Sequence, residues 1–186
     1  ESCRRSEVFQ ENRSLRTREI ADGTSTQDIW LERMLPIAEL SRHVRVLDSY
    51  AIKNCFEQAA KSGLKSLFEN LSESGKSFDL EIYAGQWEYP VKDIEAMIRA
   101  LITKIGSHWL NSMDLYLVDK DIFRSCRHSR YIRFDKFVCE TDKGVAVLDG
   151  DELRVPSTFL LKNVERTHRE SEKKLRYHGE RVVICS

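Results

Sequence analysis

The sequence predicts an α/β fold in which a mixed β-sheet is flanked by helices. Two observations carry this prediction. Between residues 26 and 118, stretches with helical periodicity alternate with short apolar runs, which is typical of βαβ units. From residue 129 onward, short apolar runs separated by Asp, Lys and Gly follow one another, which indicates antiparallel strands. We therefore expect helix-covered strands first and antiparallel strands later.

A chain of 186 residues is long enough for one sizeable core. Residues 1–25 carry many Arg, Glu, Ser and Thr and few core-forming side chains, so we expect a flexible polar arm followed by one domain over 26–186. Helical spacing of Ile29, Trp30 and Met34 predicts the first helix of that domain, with a kink or boundary at Pro36.

The next segments predict strands and helices in alternation. HVRVLD (43–48) is a strand that ends in an acid, and one helical face of apolar side chains runs through 49–71. FDLEIYA (78–84) is the second strand, 91–105 is a strongly amphipathic helix that Gly106 ends, and MDLYLV (113–118) is the third strand. A parallel portion of the sheet follows from this order.

The second half of the chain predicts strands that are joined by short turns. A charged helix is expected from Glu165 to about Tyr177, and a last strand at 181–185. The predicted strands that precede this helix are SRYIRF (129–134), KFVCE (136–140), GVAVLD (144–149) and STFLL (157–161).

The composition of the chain indicates where in the cell the protein is expected and which classes of partner it can bind. The 30 basic and 30 acidic side chains cancel, so any affinity for phosphate must be local. No apolar run approaches the roughly 20 residues that span a bilayer, and no intact secretory signal is visible. The five cysteines are odd in number and never form a CxxC pair, so we expect reduced thiols, no zinc site, no other cofactor and a cytoplasmic protein.

The segment CRHSRYIRFD contains the residue types of a phosphate site. His128, Arg130 and Asp135 are spaced as HxRxxxxD. In an extended strand His128 and Arg130 point to the same face, where an imidazole can attack phosphorus and a guanidinium can bind phosphate oxygens. Asp135 points to the other face, so we expect it to hold the strand or to orient an imidazole. The alternative is that these are solvated residues of an edge strand.

This motif resembles the HxKxxxxD signature of the phospholipase D superfamily, with Arg130 in the place of the family's Lys. The neighbouring RYIRF resembles the H-D-R-Y-I variant of divergent members. The resemblance implies a phospholipase D-like half-fold over about residues 26–186 and metal-independent phosphodiester cleavage, with His128 as nucleophile and Arg130 and Asp135 as further catalytic residues. That family needs two His motifs facing one phosphate, so the single copy here implies a homodimer. Nucleic acid is the expected substrate, which makes the protein a nuclease.

The same resemblance implies a competing interpretation. Some phospholipase D-like domains keep the fold without a complete motif, and a chain of that kind would be a non-catalytic module that binds nucleic acid, a phosphoinositide or a partner protein. A third interpretation is a regulatory or scaffold domain of a longer parent protein or complex.

Two further residues are candidates for phosphate binding. Lys162, in STFLLK, is either a second cation of the site or an exposed side chain at a strand end. Asp48 follows the first strand, where open α/β sheets place ligand-binding groups, but it is equally suited to cap the next helix.

The remaining aromatic and charged residues have simpler interpretations. Trp30, Trp87, Tyr89 and Trp109 are interpreted as packing anchors, with stacking on nucleobases as the alternative. The basic run of 166–176 is interleaved with Glu, which indicates a salt-bridged solvated face rather than a nucleic-acid stripe. The remaining histidines lack metal-ligand spacing and are interpreted as surface or capping residues: His43, His108, His168 and His178.

Overall fold

The computed structural model describes residues 19–58, 61–126 and 130–185. Within them lies an eight-stranded sheet in the order β1-β7-β6-β5-β2-β3-β4-β8, with helices on both faces. This confirms the predicted mixed sheet. The strands are β1 (Glu19–Ile20), β2 (His43–Asp48), β3 (Phe78–Gly85), β4 (Leu110–Val118), β5 (Arg130–Phe134), β6 (Phe137–Thr141), β7 (Ser157–Asn163) and β8 (Glu180–Cys185).

Strands β2, β3 and β4 are parallel, and every other pairing in the sheet is antiparallel. The carboxyl ends of the parallel strands, at Asp48, Gly85 and Val118, therefore share one edge of the sheet, which we call the carboxyl edge. Strand β5 runs antiparallel to β2 and begins at this edge, with Arg130 opposite Asp48. The helices are α1 (Thr26–Ile29), α2 (Leu35–Ala38), α3 (Ala51–Gln58), α4 (Gly63–Glu73), α5 (Val91–Ile105), α6 (Lys120–Arg124) and α7 (Arg166–His178).

Helices α1 to α5 pack on one face of the sheet and form the larger core. Val46, Ile82, Leu115 and Ile132 contribute to this core from four adjacent strands. The predicted first helix is present, but it consists of α1, a π-helical segment (Trp30–Met34) and α2. Pro36 lies in the first turn of α2 and lacks the N–H that a continuous α-helix would use, so the irregular segment falls just before it.

The prediction of one helix over 49–71 is wrong, because the helix is interrupted before Gly63. Ser62 is extended, and its side chain accepts a hydrogen bond from the backbone N–H of Lys65, which starts α4 as a new helix. Gly63 packs directly against the carbonyl of Val145, where a Cβ atom would clash. The apolar periodicity continued across the interruption because both helices bury the same face against the sheet.

The prediction of a strand at GVAVLD is also wrong. Gly144–Leu148 form a 3₁₀ helix that packs in the larger core. Gly144 has a φ of +62°, a conformation that favours glycine, and Asp48 accepts the N–H of Val145. The N–H of Val145 is thereby bonded to the side chain at the end of β2 instead of to the backbone of a neighbouring strand. Burial of Val145, Val147 and Leu148 in either geometry explains why the apolar pattern resembled a strand.

Helix α7 covers the other face through a smaller core and a network of charges. Glu172 is buried and accepts two hydrogen bonds from Arg133, at 2.6 and 2.7 Å, and one from the hydroxyl of Tyr131. His168 is fully buried. Its Nδ1 accepts the N–H of Glu165, so it caps α7, as the capping interpretation expected. This network fixes α7 in register on the sheet.

Some earlier expectations fall partly outside the described residues. Of the polar arm expected over 1–25, residues 1–18 lie outside them, while β1 pairs with β7 and Ser25 caps α1. Cys55 and Cys139 are buried and, like Cys126 and Cys185, are free thiols. None of the described helices combines the length and the apolar character required to cross a membrane.

Candidate functional site

A cleft of about 300 Å³ lies at the carboxyl edge of the sheet. Its walls come from the loop after β2, the loop after β3, helix α6 after β4, and the first residue of β5. Open α/β sheets bind ligands at this edge, because loops from several strands converge there. The lining residues are Ser49, Tyr50, Trp87, Lys120, Phe123, Arg124 and Arg130.

Two aromatic rings form one wall of the cleft. The ring centres of Tyr50 and Trp87 are 5.2 Å apart, with the planes tilted by 44°. The indole N–H of Trp87 donates to the carbonyl of Ser49 at 2.7 Å, which joins the loops that follow β2 and β3. Tyr50 is 38% exposed and Trp87 is half-buried, so both rings remain accessible from the cleft.

The aromatic rings hold cationic side chains in place. The guanidinium of Arg130 lies 4.8 Å from the centre of the Tyr50 ring and donates to the carbonyl of Asp142 at 2.8 Å. The ammonium of Lys120 lies 3.7 Å from the centre of the Trp87 ring, and that of Lys53 lies 4.6 Å from it. Such contacts fix a cation without neutralising it.

The cations of the cleft differ in their acidic partners. Lys53 pairs with Glu57 at 3.5 Å, and Arg124 pairs with Asp121 at 3.1 Å. Within the described ranges, neither Lys120 nor Arg130 has a carboxylate at ion-pair distance. These two positive charges therefore remain available to an anion in the cleft.

Asp48 lies beneath the cleft and organises its floor. Its carboxylate is almost fully buried and accepts the N–H of Tyr50 at 2.9 Å and the N–H of Val145 at 3.0 Å. Burial raises the pKa of Asp48 to about 6, against the lowering effect of these hydrogen bonds and of the Arg130 charge. Asp48 thus shapes the turn that carries Tyr50 and leads into α3, without bonding an N–H of that helix itself.

The residues predicted from the motif are not all brought together. Arg130 lines the cleft and Asp48 lies directly opposite it, whereas His128 lies outside the described residues. Asp135 follows the other end of β5. Its carboxylate accepts the backbone N–H groups of Arg42 and His43, at 2.9 and 3.3 Å, and so ties the β5–β6 turn to the start of β2. A strand of five residues separates Asp135 from the cleft.

Lys162 lies on the opposite face of the sheet from Arg130. It is opposite Val138 in the β6–β7 pair, and Val138 belongs to the smaller core under α7. Its ammonium is 3.0 Å from a carboxylate oxygen of Glu140 and 3.6 Å from one of Glu165. The structure therefore does not bring Lys162 together with Arg130.

Sequence reasoning missed most residues of the cleft. Tyr50, Lys53, Lys120 and Arg124 were not singled out, and Trp87 was interpreted as a packing anchor. The signal that could have found them is positional, because each follows the carboxyl end of a predicted parallel strand within a few residues. Helix α6 itself was not predicted, since five residues are too few for a periodic pattern.

The described part of the chain contains no cluster of three or more His, Cys, Asp or Glu side chains arranged to hold a metal ion. The described residues that line the cleft are three cations, three aromatic residues and Ser49.

Comparison with known proteins finds similarity among solved structures. No protein-family model matches the chain, and no curated protein matches it. Among solved structures, the chain is similar to the phosphatidylserine synthase of Haemophilus influenzae Rd KW20, with 15% sequence identity and a TM-score of 0.44. The similarity covers 89% of this chain but only 40% of that enzyme.

Proposed function

We propose that the chain binds phosphate-containing ligands in the cleft at the carboxyl edge, with Arg130 and Lys120 as the groups that contact the phosphate. The observation that carries this proposal is that both cations rest on aromatic rings and that, among the described residues, neither has a carboxylate at ion-pair distance; the nearest acid to Arg130 that acts on it is the buried Asp48. Most other half-buried cations of the fold are already paired, as Arg45, Arg133 and Lys162 are.

The geometry suits an anion with several oxygens. Arg130 donates one N–H to the carbonyl of Asp142, and its planar guanidinium has further N–H donors that can bind a ligand. Lys120 supplies a point charge from the neighbouring loop. Cation–π contacts of this kind contribute about 0.5–1 kcal/mol at exposed sites. They order the two side chains before the ligand binds, so less side-chain entropy is lost on binding.

Binding can be tested with inorganic phosphate as the probe. The indole N–H resonance of Trp87 is a local reporter, since that group bonds Ser49 in the wall of the cleft. We expect Arg130→Ala and Lys120→Ala each to weaken binding by about 10-fold or more, because a hydrogen bond to a charged group contributes about 1.5–3 kcal/mol. The control is Lys104→Ala, on α5, which leaves the cleft intact. Unchanged affinity in both cleft variants would refute the proposal.

A second candidate function is phosphodiester hydrolysis, and His128 is the observation that favours it. The sequence places His128 two residues before Arg130, in a motif that resembles the phospholipase D signature. In this mechanism the His128 imidazole attacks phosphorus and displaces an alkoxide. The His128 of a second copy in a homodimer protonates that leaving group, and water then releases the phosphate from the first imidazole. Nucleic acid is the proposed substrate.

Hydrolysis is tested separately from binding. The native chain and His128→Ala are incubated with a generic phosphodiester and with single- and double-stranded DNA and RNA in EDTA, and light scattering gives the oligomeric state. Cleavage that disappears in His128→Ala supports a phosphodiesterase. Binding without cleavage by a folded dimer identifies the chain as a non-catalytic phosphate-binding module.

A further inference from the structure

We propose that the ligand of the cleft is single-stranded nucleic acid, and that a second phosphate position lies on the far side of helix α6, formed by Arg124 and Lys174. This proposal rests on the proposed function, because it extends the same site. It adds a position beyond the cleft, where Lys174 extends the row of cations past Arg124 of the cleft.

The first step is a contact between two helices. Lys174, on α7, donates from its ammonium to the hydroxyl of Ser125 at 2.7 Å. Ser125 directly follows Arg124, which lines the cleft. Helix α6 thus has Lys120 at its start, facing the cleft, and the Lys174 ammonium at its end. Positive charge continues from the cleft across α6 to α7.

The second step is the balance of charges along this path. Asp121 pairs with Arg124, and Asp119 caps α6 through the N–H of Asp121. Lys174 has no carboxylate at ion-pair distance within the ranges that the structure describes. On α7, Arg166 pairs with Glu170 and Arg176 with Glu81, whereas Arg169 and Lys173, like Lys174, have no carboxylate at ion-pair distance within those ranges. The salt-bridged character predicted for α7 therefore holds on part of its surface, and Lys174 is the unpaired cation whose ammonium contacts the end of α6.

The third step is distance. Five residues of α-helix rise by about 7.5 Å, so Lys120 and the Lys174 ammonium, which contacts Ser125, lie at opposite ends of α6. A polynucleotide carries phosphates in succession along its backbone and can therefore contact both cations at once.

The aromatic wall decides between polyanions. Stacking of a base on an aromatic ring contributes about 1–3 kcal/mol and requires an unpaired base. Tyr50 is 38% exposed and presents such a ring beside the cations, whereas the ring of Trp87 already carries Lys120 and Lys53. An inositol headgroup has phosphates but no flat ring to stack, so the ring of Tyr50 favours a single strand over a lipid.

The test compares one phosphate with a strand of phosphates. An oligothymidylate of about 12 nucleotides, its abasic analogue and inorganic phosphate are titrated against the native chain and four variants. The variants are Lys174→Gln, Tyr50→Ala, Arg130→Ala and, as a matched control, Lys104→Gln. We expect Lys174→Gln to weaken oligothymidylate binding by about 3- to 10-fold and to leave phosphate binding unchanged.

Salt dependence provides the second readout. Each phosphate contact on a single strand contributes about 0.7 to the slope of log affinity against log salt, so Lys174→Gln should reduce that slope by about this amount. Tyr50→Ala should reduce the preference for the oligothymidylate over its abasic analogue, because it removes a stacking surface. Native-like strand binding and slope in Lys174→Gln would overturn the second phosphate position, while a loss in Arg130→Ala would still support the proposed function.

Vesicles that contain a phosphatidylinositol bisphosphate test the competing ligand class. Tighter binding to these vesicles than to the oligothymidylate, removed by Arg130→Ala, would overturn the assignment to nucleic acid and keep the phosphate site. Equal loss of strand and phosphate binding in Lys174→Gln would likewise contradict a separate second position.

Discussion

Asp48 and Arg130 are directly opposite each other on β2 and β5, yet they form no ion pair. The carboxylate of Asp48 accepts two backbone N–H groups, whereas the guanidinium of Arg130 donates to the carbonyl of Asp142 and lies over the ring of Tyr50. Asp48 stabilises the backbone beneath the cleft, and the charge of Arg130 has no carboxylate at ion-pair distance among the described residues.

Replacement of Asp48 should therefore affect stability and binding in opposite directions. In Asp48→Asn one carboxylate oxygen becomes an N–H donor that faces the N–H of Tyr50 or Val145, which should lower the free energy of unfolding by about 1–3 kcal/mol. Removal of the nearby negative charge should strengthen phosphate binding at neutral pH. Urea unfolding and phosphate titration measure the two effects. The exposed Asp28→Asn is the control, and a loss no larger than in that control would contradict the role of Asp48 in holding the backbone at Tyr50 and Val145.

Gly144 and Gly75 offer a matched pair of substitutions. Both have φ between +60° and +75°, but a Cβ atom at Gly144 would collide with the Asp48 carboxylate, whereas a Cβ at Gly75 would meet open space. Both Ala variants carry backbone strain of about 1 kcal/mol. We expect Gly144→Ala to lower the free energy of unfolding by at least about 1 kcal/mol more than Gly75→Ala, as measured in urea. Equal losses would show that the collision is relieved at no cost.

The pH dependence of stability should reflect two buried acids. Burial raises the pKa of Asp48 and that of Asp149 to about 6, from an ordinary value of 3.8. Between these values the folded state holds protons that the unfolded state has lost, so the contribution to stability is full below 3.8 and is lost as pH rises through about 6. For Asp48 the difference corresponds to roughly 3 kcal/mol.

Asp149→Asn isolates one of these groups. The amide oxygen can still accept the N–H of Gly63, but it does not titrate. We expect the loss of stability between about pH 5 and about pH 7.5 to be smaller in this variant than in the native chain. Urea unfolding at both pH values checks the effect, and an unchanged difference would assign the pH dependence to other groups.

Glu172 and Glu170 test the network under α7. Glu172→Ala leaves Arg133 with a half-buried and uncompensated charge, so we expect the free energy of unfolding to fall by about 3–5 kcal/mol. Glu170→Ala removes only an exposed pair with Arg166, for which we expect at most about 1 kcal/mol. Urea unfolding compares the two variants, and similar small losses would show that water compensates Arg133.

The parallel strands were predictable because buried apolar side chains alternate with polar ones in their first halves and follow one another without a break toward their carboxyl ends. The bounds of β2 and α5 agree with the prediction, and β3 and β4 differ only at their ends. The failures have one physical cause. The side chain of Ser62 accepts the N–H of Lys65, and that of Asp48 accepts the N–H of Val145. Each hydrogen bond changes the backbone conformation, while the buried side chains keep the same apolar pattern.

The candidate site was only partly predictable. Arg130 and Asp48 were found because one lies in a short motif and the other ends a strand. Lys162 was grouped with them although it lies on the other face of the sheet. Alternation along β7 shows which residues share a face, but not which of those faces is the one that carries Arg130. Three segments of the chain supply Tyr50, Lys120 and Lys174. They lie close together because of the order of the strands in the sheet, and local periodicity does not determine that order.

Each loop at the carboxyl edge supplies its own cation or ring, while the strands beneath supply the stability. A substitution in one loop can therefore alter the ligand without altering the scaffold. The side chains that set the chemistry of the cleft and those that set the stability of the sheet are therefore largely separate sets of residues.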